Sequence, residues 1–121
     1  MHFILVGIGG AFGGVARYNL GKMLTKKNSF PIATFFINIT GAFLLGIVAS
    51  LNAGNNIYLL LGDGFLGAYT TFSTFMFESF NLYKDNKRLN ALFYILSSIF
   101  LGILGYFIGF ILGNMLNNGL L

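Results

Sequence analysis

The chain has 121 residues, of which 56% are hydrophobic and only 8% are charged. A soluble domain carries roughly 25% charged residues, so the composition excludes an ordinary soluble fold and indicates a membrane protein. There is no cysteine, and the single histidine is His2. Disulfides, thiolate metal sites and Ser/His/Asp or Cys/His catalytic sets are therefore excluded, and we expect no enzyme activity.

The net charge of +4 would suit nucleic acid as a partner. The basic residues, however, flank apolar segments rather than forming a separate basic region. The expected partner is therefore the membrane surface, and we expect no nucleic-acid binding.

Four apolar segments follow one another along the chain, at about 3–20, 32–51, 57–82 and 89–116. A helix needs about 20 apolar residues to cross a bilayer, so each segment is long enough to cross once. Pro31 stands where a first-turn proline is tolerated. The first segment lacks a basic start and a cleavage site, so we interpret it as a retained span. With connections only at 22–30, 52–56 and 83–88, residues 1–121 form a single all-α membrane domain.

The basic residues predict the orientation of this domain in the membrane. All seven lie at or near the first and third connections: Arg17, Lys22, Lys26, Lys27, Lys84, Lys87 and Arg88. Because cytoplasmic loops are enriched in Lys and Arg, both connections are expected in the cytoplasm and both termini outside.

Glycines recur at helical spacing in the first and last segments. The pairs Gly9–Gly13 and Gly10–Gly14 lie in the first, and the last contains the series Gly102, Gly105, Gly109 and Gly113. Small residues let helix backbones approach closely in lipid, either within a subunit or between subunits. Four helices enclose little space, so we expect that a pore would need a second subunit.

The third segment contains an unusual run of hydroxyls: Thr70, Thr71, Ser73 and Thr74, interleaved with Phe72 and Phe75. Polar groups at membrane depth must face protein or a water-filled path. Three further polar residues lie in the second and fourth segments, Asn38, Tyr94 and Ser98, and the last two share a helix face. Each of these residues could serve ordinary helix packing, but together they form a set of uncharged hydrogen-bond donors.

Such a set suits the passage of a small anion. Amide and hydroxyl groups donate hydrogen bonds, and the positive edges of phenyl rings attract negative charge. Conduction requires that the ion also leaves, so the absence of Lys or Arg at mid-membrane favours a conducted anion over a trapped one.

Three stretches carry a resemblance to a known family. Residues 10–18 read GAFGGVARY, residues 38–43 read NITGAF, and residues 64–75 read GFLGAYTTFSTF, followed by Glu78. These resemble the Fluc (CrcB) fluoride channels, in order and with matching spacing over nearly the whole chain. The resemblance implies a cell-membrane channel that exports fluoride passively and relieves its toxicity. It also implies an antiparallel dimer of four-helix subunits, each with a broken third helix, enclosing two pores.

The resemblance also assigns residues. It implies a fluoride pathway through seven side chains: Asn38, Phe72, Ser73, Thr74, Phe75, Tyr94 and Ser98. A structural sodium ion would be held at the helix break by the backbone carbonyls of Gly67 and Thr70 from both subunits. Arg17 matches an arginine near the pore vestibule, where it would attract anions.

Two features depart from this pattern. Asp63 stands where the resemblance leads us to expect a neutral residue. The one-sided charge is the second, because a subunit that inserts in both orientations needs nearly balanced loops. The partner is therefore either a second copy of this chain or a related chain of opposite orientation.

Two other functions stay open. A small proton-coupled multidrug exporter also has four spans, but it needs a buried carboxylate, normally in the first span, which has none here. Glu78 lies late in the third. A structural membrane protein would account for the glycine series but leaves the hydroxyl run unexplained.

Overall fold

The computed structural model describes residues 2–24, 31–51 and 54–119, and this part of the chain is helical apart from short turns. Helix α1 comprises His2–Leu24 and helix α2 Ile32–Leu51. Three helical stretches then follow without interruption, Asn55–Ile57, Tyr58–Leu66 and Gly67–Tyr69, and together form helix α3. Helix α4 is Phe72–Lys84 and helix α5 is Arg88–Asn117.

The predicted third span is divided between α3 and α4. Thr70 and Thr71 have extended backbones, with ψ angles of 158° and 121°, so the helix is interrupted between Tyr69 and Phe72. The middle stretch of α3, Tyr58–Leu66, is wound as a π-helix. Long π-helices are rare and are frequently found at functional sites. The break expected in the third helix is confirmed; the π-helical winding was not predicted.

The other predicted spans need small corrections. Helix α1 continues to Leu24, beyond the predicted end at residue 20, so Arg17 lies two turns from its end. The second connection, predicted over 52–56, is shorter, since Asn55 already begins α3. Residues 25–30 and 52–53 lie outside the described residues. Among those described, α1, α2 and α5 are each long and apolar enough to cross a membrane.

Helices α1 and α3 run parallel and approach at their backbones. A Cβ added to Gly13 would overlap the Phe65 carbonyl, and one added to Gly9 would overlap the Leu60 carbonyl. A Cβ added to Gly64 would lie 2.8 Å from the Val6 carbonyl oxygen. The Gly9–Gly13 pair therefore serves packing inside the subunit, whereas Gly14 has nothing within 4 Å of its Cβ position.

Helices α2 and α5 form a second parallel pair of the same kind. A Cβ on Gly109 would overlap the Phe43 carbonyl, one on Gly113 the Ser50 hydroxyl, and one on Gly46 the Tyr106 carbonyl. Gly102, by contrast, has nothing within 4 Å of its Cβ position. Because dispersion replaces the hydrophobic effect inside a bilayer, these close backbone contacts hold the subunit together.

Two hydrophobic clusters lie on opposite sides of the break. One contains Ile37, Leu66 and Tyr69, where α1, α2 and α3 meet. The other contains four residues of α4 and α5: Phe75, Leu82, Ala91 and Tyr94. The chain thus packs each half of the third span into its own cluster and leaves the polar residues of the break between them.

Candidate functional site at the helix break

The break in the third span is held by one side chain from α2. The Asn38 amide nitrogen donates to the Thr71 carbonyl at 3.0 Å, and the Thr71 N–H donates to the Asn38 side-chain oxygen at 2.9 Å. Both backbone groups of Thr71 are therefore satisfied without a helix. Because unpaired backbone groups are costly at membrane depth, this two-bond contact allows the interruption to exist.

The break leaves two carbonyls without their helical partners. In a continuous helix the Thr71 N–H would bind the Gly67 carbonyl, but here it binds Asn38. The Thr74 N–H would bind the Thr70 carbonyl, but it donates to the Thr71 hydroxyl at 3.3 Å, which caps the start of α4. The break thus removes the helical partners of Gly67 and Thr70, the two residues assigned to the sodium ion.

These carbonyls fit the chemistry of that ion. Unwound backbone carbonyls are the ligands by which membrane proteins hold Na⁺ at depth. Thr70 is fixed in place by its own N–H and hydroxyl, which both donate to the Leu66 carbonyl, at 3.0 and 2.9 Å. The donor set therefore suits a monovalent cation and needs no charged side chain.

Two clefts open beside the break. The first, of about 540 Å³, is lined by residues that include Asn38, Asp63, Gly67, Thr70 and Phe72. Asp63, the unexpected acid, therefore lines the same cleft as both sodium candidates. We call it the Asp63 cleft.

The second cleft, of about 710 Å³, joins α1, α2 and α4. Its lining includes Arg17, Thr34, Thr74 and Glu78, and we call it the Arg17 cleft. Thr71 lines both clefts, so the break is the point at which they meet. Arg17 thus lies in a polar opening that leads to the break.

Phe72 and Phe75 begin α4 in different surroundings. Their ring centroids are 6.2 Å apart, with the planes inclined by 44°. Phe72 is 73% exposed in the single subunit, whereas Phe75 is buried and its ring centre lies 5.1 Å from that of Tyr94. Phe75 therefore packs against Tyr94 within the subunit, while Phe72 lies mostly exposed in the lining of the Asp63 cleft.

Tyr94 is completely buried in α5, and its hydroxyl donates to the Glu78 carboxylate at 3.4 Å. One turn further along, the Ser98 hydroxyl is buried and has no hydrogen-bond partner among the described residues. An unsatisfied hydroxyl at membrane depth is unfavourable unless something outside the subunit completes its bonding.

The structure brings some assigned residues together and separates others. Asn38, Phe72 and Thr74 meet at the break, and Ser73 and Thr74 are exposed on the first turn of α4. Tyr94 joins them through its ring contact with Phe75, and Ser98 lies one turn further along the same face of α5. These assignments to a fluoride pathway stay predictions.

Four residues support the break in ways that the sequence did not predict: Thr71, Tyr69, Thr40 and Gly41. Thr71 was noted among the hydroxyls, but its clamp and cap were not foreseen. The Tyr69 hydroxyl lies 2.9 Å from the Thr40 hydroxyl, and a Cβ on Gly41 would overlap the Thr70 side chain. Only the position of Thr71 before α4 offered a signal, as an N-cap residue.

The described residues form an all-helical bundle in which three helices are long and apolar enough to cross a membrane, and this defines a multi-pass membrane protein. Residues 4–110 match the family model described as CrcB-like protein, Camphor Resistance (CrcB). The chain belongs to this family, which confirms the resemblance found in the sequence.

Proteins of similar sequence carry more specific names. A protein named fluoride-specific ion channel FluC 2 from Clostridium acetobutylicum is 60% identical over 111 residues, covering 90% of this chain and 95% of that protein. Another FluC 2, from Bacillus cereus, is 48% identical over 118 residues, covering 95% and 99%. A fluoride-specific ion channel FluC 1 from Listeria monocytogenes is 46% identical over 116 residues, covering 93% and 98%.

Proposed function

We propose that the protein is a fluoride-selective channel that lets fluoride leave the cytoplasm passively. Family membership and the naming of its relatives support a channel rather than an enzyme, and they do not favour a proton-coupled exporter or a structural protein. The observation that carries the proposal is the break itself, where Asn38, Thr71 and Thr74 place amide and hydroxyl groups beside Phe72.

The chemistry of these groups suits a small hydrated anion. Donors at the break and on α5 would replace water around the ion, and the exposed Phe72 ring would present its positive edge. The unsatisfied Ser98 hydroxyl has an unused donor for the same purpose. Arg17 would raise the anion concentration in its cleft without holding the ion at mid-membrane. We assign the pathway to Asn38, Phe72, Ser73, Thr74, Phe75, Tyr94 and Ser98.

Ion flux from liposomes tests this function. Purified protein should release fluoride rapidly and chloride little, without a proton gradient. Equal fluoride and chloride fluxes would contradict selectivity. Transport that requires a proton gradient would favour the exporter, and absence of flux from a folded, reconstituted protein would favour a structural role.

We further propose that the channel is an antiparallel dimer in the cell membrane. The charge bias of the loops favours insertion with both termini outside, so an oppositely oriented subunit must come from a minority of these chains or from a related chain. We favour the related chain slightly. The sequence contains no cysteine, so single cysteines at Asn55 and Asn86 can report the orientation directly.

Labelling of both cysteines from both sides, with robust flux, would indicate a homodimer of mixed orientation. One-sided labelling with negligible flux, restored by co-expression of a related chain, would indicate a heterodimer. Robust flux with strictly one-sided labelling would contradict an antiparallel arrangement.

The sodium ion is also a proposal, and Gly67 and Thr70 are its proposed ligands. Thr70→Ser keeps the carbonyl and the hydroxyl and should be tolerated. A Cβ on Gly67 would meet only the Gly62 carbonyl, at 3.8 Å. Loss of dimer in Gly67→Leu would therefore report crowding between subunits. A Gly67→Leu protein that assembles and conducts normally would contradict a close crossing at this position.

A further inference from the structure

A groove on the outer face of α5 has no role in the channel described above. Its apolar lining is Leu89, Leu92, Phe93, Leu96 and Phe100, and its volume is about 660 Å³. All five side chains are more than half exposed in the subunit. This face lies opposite Ala91 and Tyr94, which pack towards α4. We call it the α5 groove.

The groove has the length and polarity of a lipid chain. From Leu89 to Phe100 the helix rises about 17 Å, close to one leaflet of a hydrocarbon core that is about 30 Å thick. The Ser97 hydroxyl donates to the Phe93 carbonyl of its own helix at 2.5 Å, so it presents no unsatisfied group to hydrocarbon. Asn90, the other polar residue of the lining, lies at the end where a headgroup would begin.

Positive charge is concentrated at that same end. Arg88 is the first residue of α5 and Lys87 precedes it, and Lys84 ends α4 on the other side of the turn. Asp85 is the acidic residue of this turn. The Arg88 guanidinium lies 5.1 Å from the centre of the Tyr83 ring, which holds it above an aromatic face at the membrane interface. The N-terminus of α5 adds its own positive field.

We propose that the α5 groove binds one anionic phospholipid, with an acyl chain along Leu89–Phe100 and the phosphate at Arg88. Charge complementarity selects this occupant, because a neutral lipid gains the apolar contact but nothing from Arg88, Lys87 and the helix terminus.

The chain contains no tryptophan, so a single introduced one reports the local lipid. The full-length Phe93→Trp protein is reconstituted in phosphatidylcholine containing either brominated phosphatidylglycerol or brominated phosphatidylcholine, and bromine quenching of the indole is measured. One basic side chain near the surface favours anionic over neutral lipid about fivefold. We therefore expect brominated phosphatidylglycerol to be enriched about fivefold over brominated phosphatidylcholine at position 93, as judged by quenching.

Two controls make the result specific. Phe107 lies about four turns further along α5, is also exposed, and has no basic residue beside it. In Phe107→Trp, quenching by the anionic lipid divided by quenching by the neutral lipid should therefore be near one. Arg88→Gln in the Phe93→Trp protein should lower the preference clearly, to the smaller value that Lys87 and the helix terminus give without Arg88. If Phe93→Trp does not fold, Leu96→Trp reads the same groove.

Equal quenching by both lipids at position 93 would overturn the proposal, as would an undiminished preference in Arg88→Gln. Absence of quenching by either lipid would show that protein covers the groove, which also excludes the lipid. An equal anionic preference at position 107 would indicate a general surface effect and not a site.

Discussion

The two halves of the third span are attached to the subunit in different ways. Helix α3 lies against α1 at backbone contact, through Gly9, Gly13 and Gly64, and buries Leu66 and Tyr69. Helix α4 buries only Phe75, Ser79 and Leu82, and is fastened at its start by the Thr71 backbone. The comparison shows that one half is fixed by backbone fit, and the other by one side-chain cluster with α5 and by a few polar bonds at its start. We expect the second half to be the more easily displaced.

The largest effect is expected from detaching α3. In Gly13→Ala the new methyl group would overlap the Phe65 carbonyl, and backbone atoms cannot move aside cheaply. We expect a loss of about 3 kcal/mol or more in the free energy of unfolding, seen as little folded protein in detergent. The matched control is Gly14→Ala, which places the same methyl group in open space. Similar yields and melting temperatures for both variants would contradict backbone fit as the attachment.

The next largest effect is expected from releasing α4. Asn38→Leu keeps the volume but leaves the Thr71 N–H and carbonyl without their partner, at a cost of about 2–4 kcal/mol in unfolding free energy. If the break persists, hydrogen exchange at the Thr71 amide should become faster. If the Thr71 N–H instead binds the Gly67 carbonyl, the helix becomes continuous between Tyr69 and Phe72. Asn114→Leu, on an exposed part of α5, should leave melting unchanged. An Asn38→Leu protein with unaltered melting would mean that α4 is held in another way.

A smaller effect on the free energy of unfolding is expected from the two phenylalanines, and it should differ between them. Phe75→Ile removes ring contacts with Tyr94 and should lower the unfolding free energy by about 1.5 kcal/mol, whereas Phe72→Ile should lower it by about zero because its ring is exposed. Both should reduce fluoride flux under the proposed function. Thermal unfolding in detergent and liposome flux separate the two roles. Unchanged flux in both variants would mean that the rings serve packing alone.

The smallest effect concerns the cap of α4. Thr71→Val removes the hydroxyl that accepts from the Thr74 N–H and should destabilise the protein by about 1 kcal/mol. Thr71→Ser keeps the oxygen and should restore the parent value, as judged by thermal unfolding. Equal destabilisation by Val and Ser would contradict a role for the Thr71 hydroxyl as the cap, because Ser keeps the oxygen that accepts from the Thr74 N–H.

Much of the fold followed from the sequence because lipid leaves few choices. Apolar segments of about 20 residues must cross as helices, and the spacing of Gly105, Gly109 and Gly113 marks one packed face. The hydroxyl run located the site around Thr70 and Thr71. The π-winding of Tyr58–Leu66 could not be foreseen, since the sequence carries no local signal that distinguishes it from an α-helix; this stretch lies at backbone contact with α1.

The roles at the site were harder to predict than its location. Asn38 was expected to face an ion, yet two of its hydrogen bonds go to the backbone of Thr71. The sequence alone does not show whether an asparagine side chain donates to a ligand or to a backbone carbonyl, because both roles need the same amide group. The partnership between Tyr69 and Thr40, 29 residues apart, likewise depends on how α2 and α3 pack.

The Asn38 contact also has a consequence for how the chain is made. The two residues it joins are 33 positions apart and belong to different spans, so the bonds that satisfy the Thr71 backbone are absent until the two spans meet. We expect the third span to enter the bilayer as one continuous helix, with every backbone group paired internally. It would break only when α2 docks beside it and Asn38 replaces the helical partner of Thr71. The break is then the last part of the subunit to form, and the carbonyls of Gly67 and Thr70 stay paired within the helix until the surrounding helices have assembled.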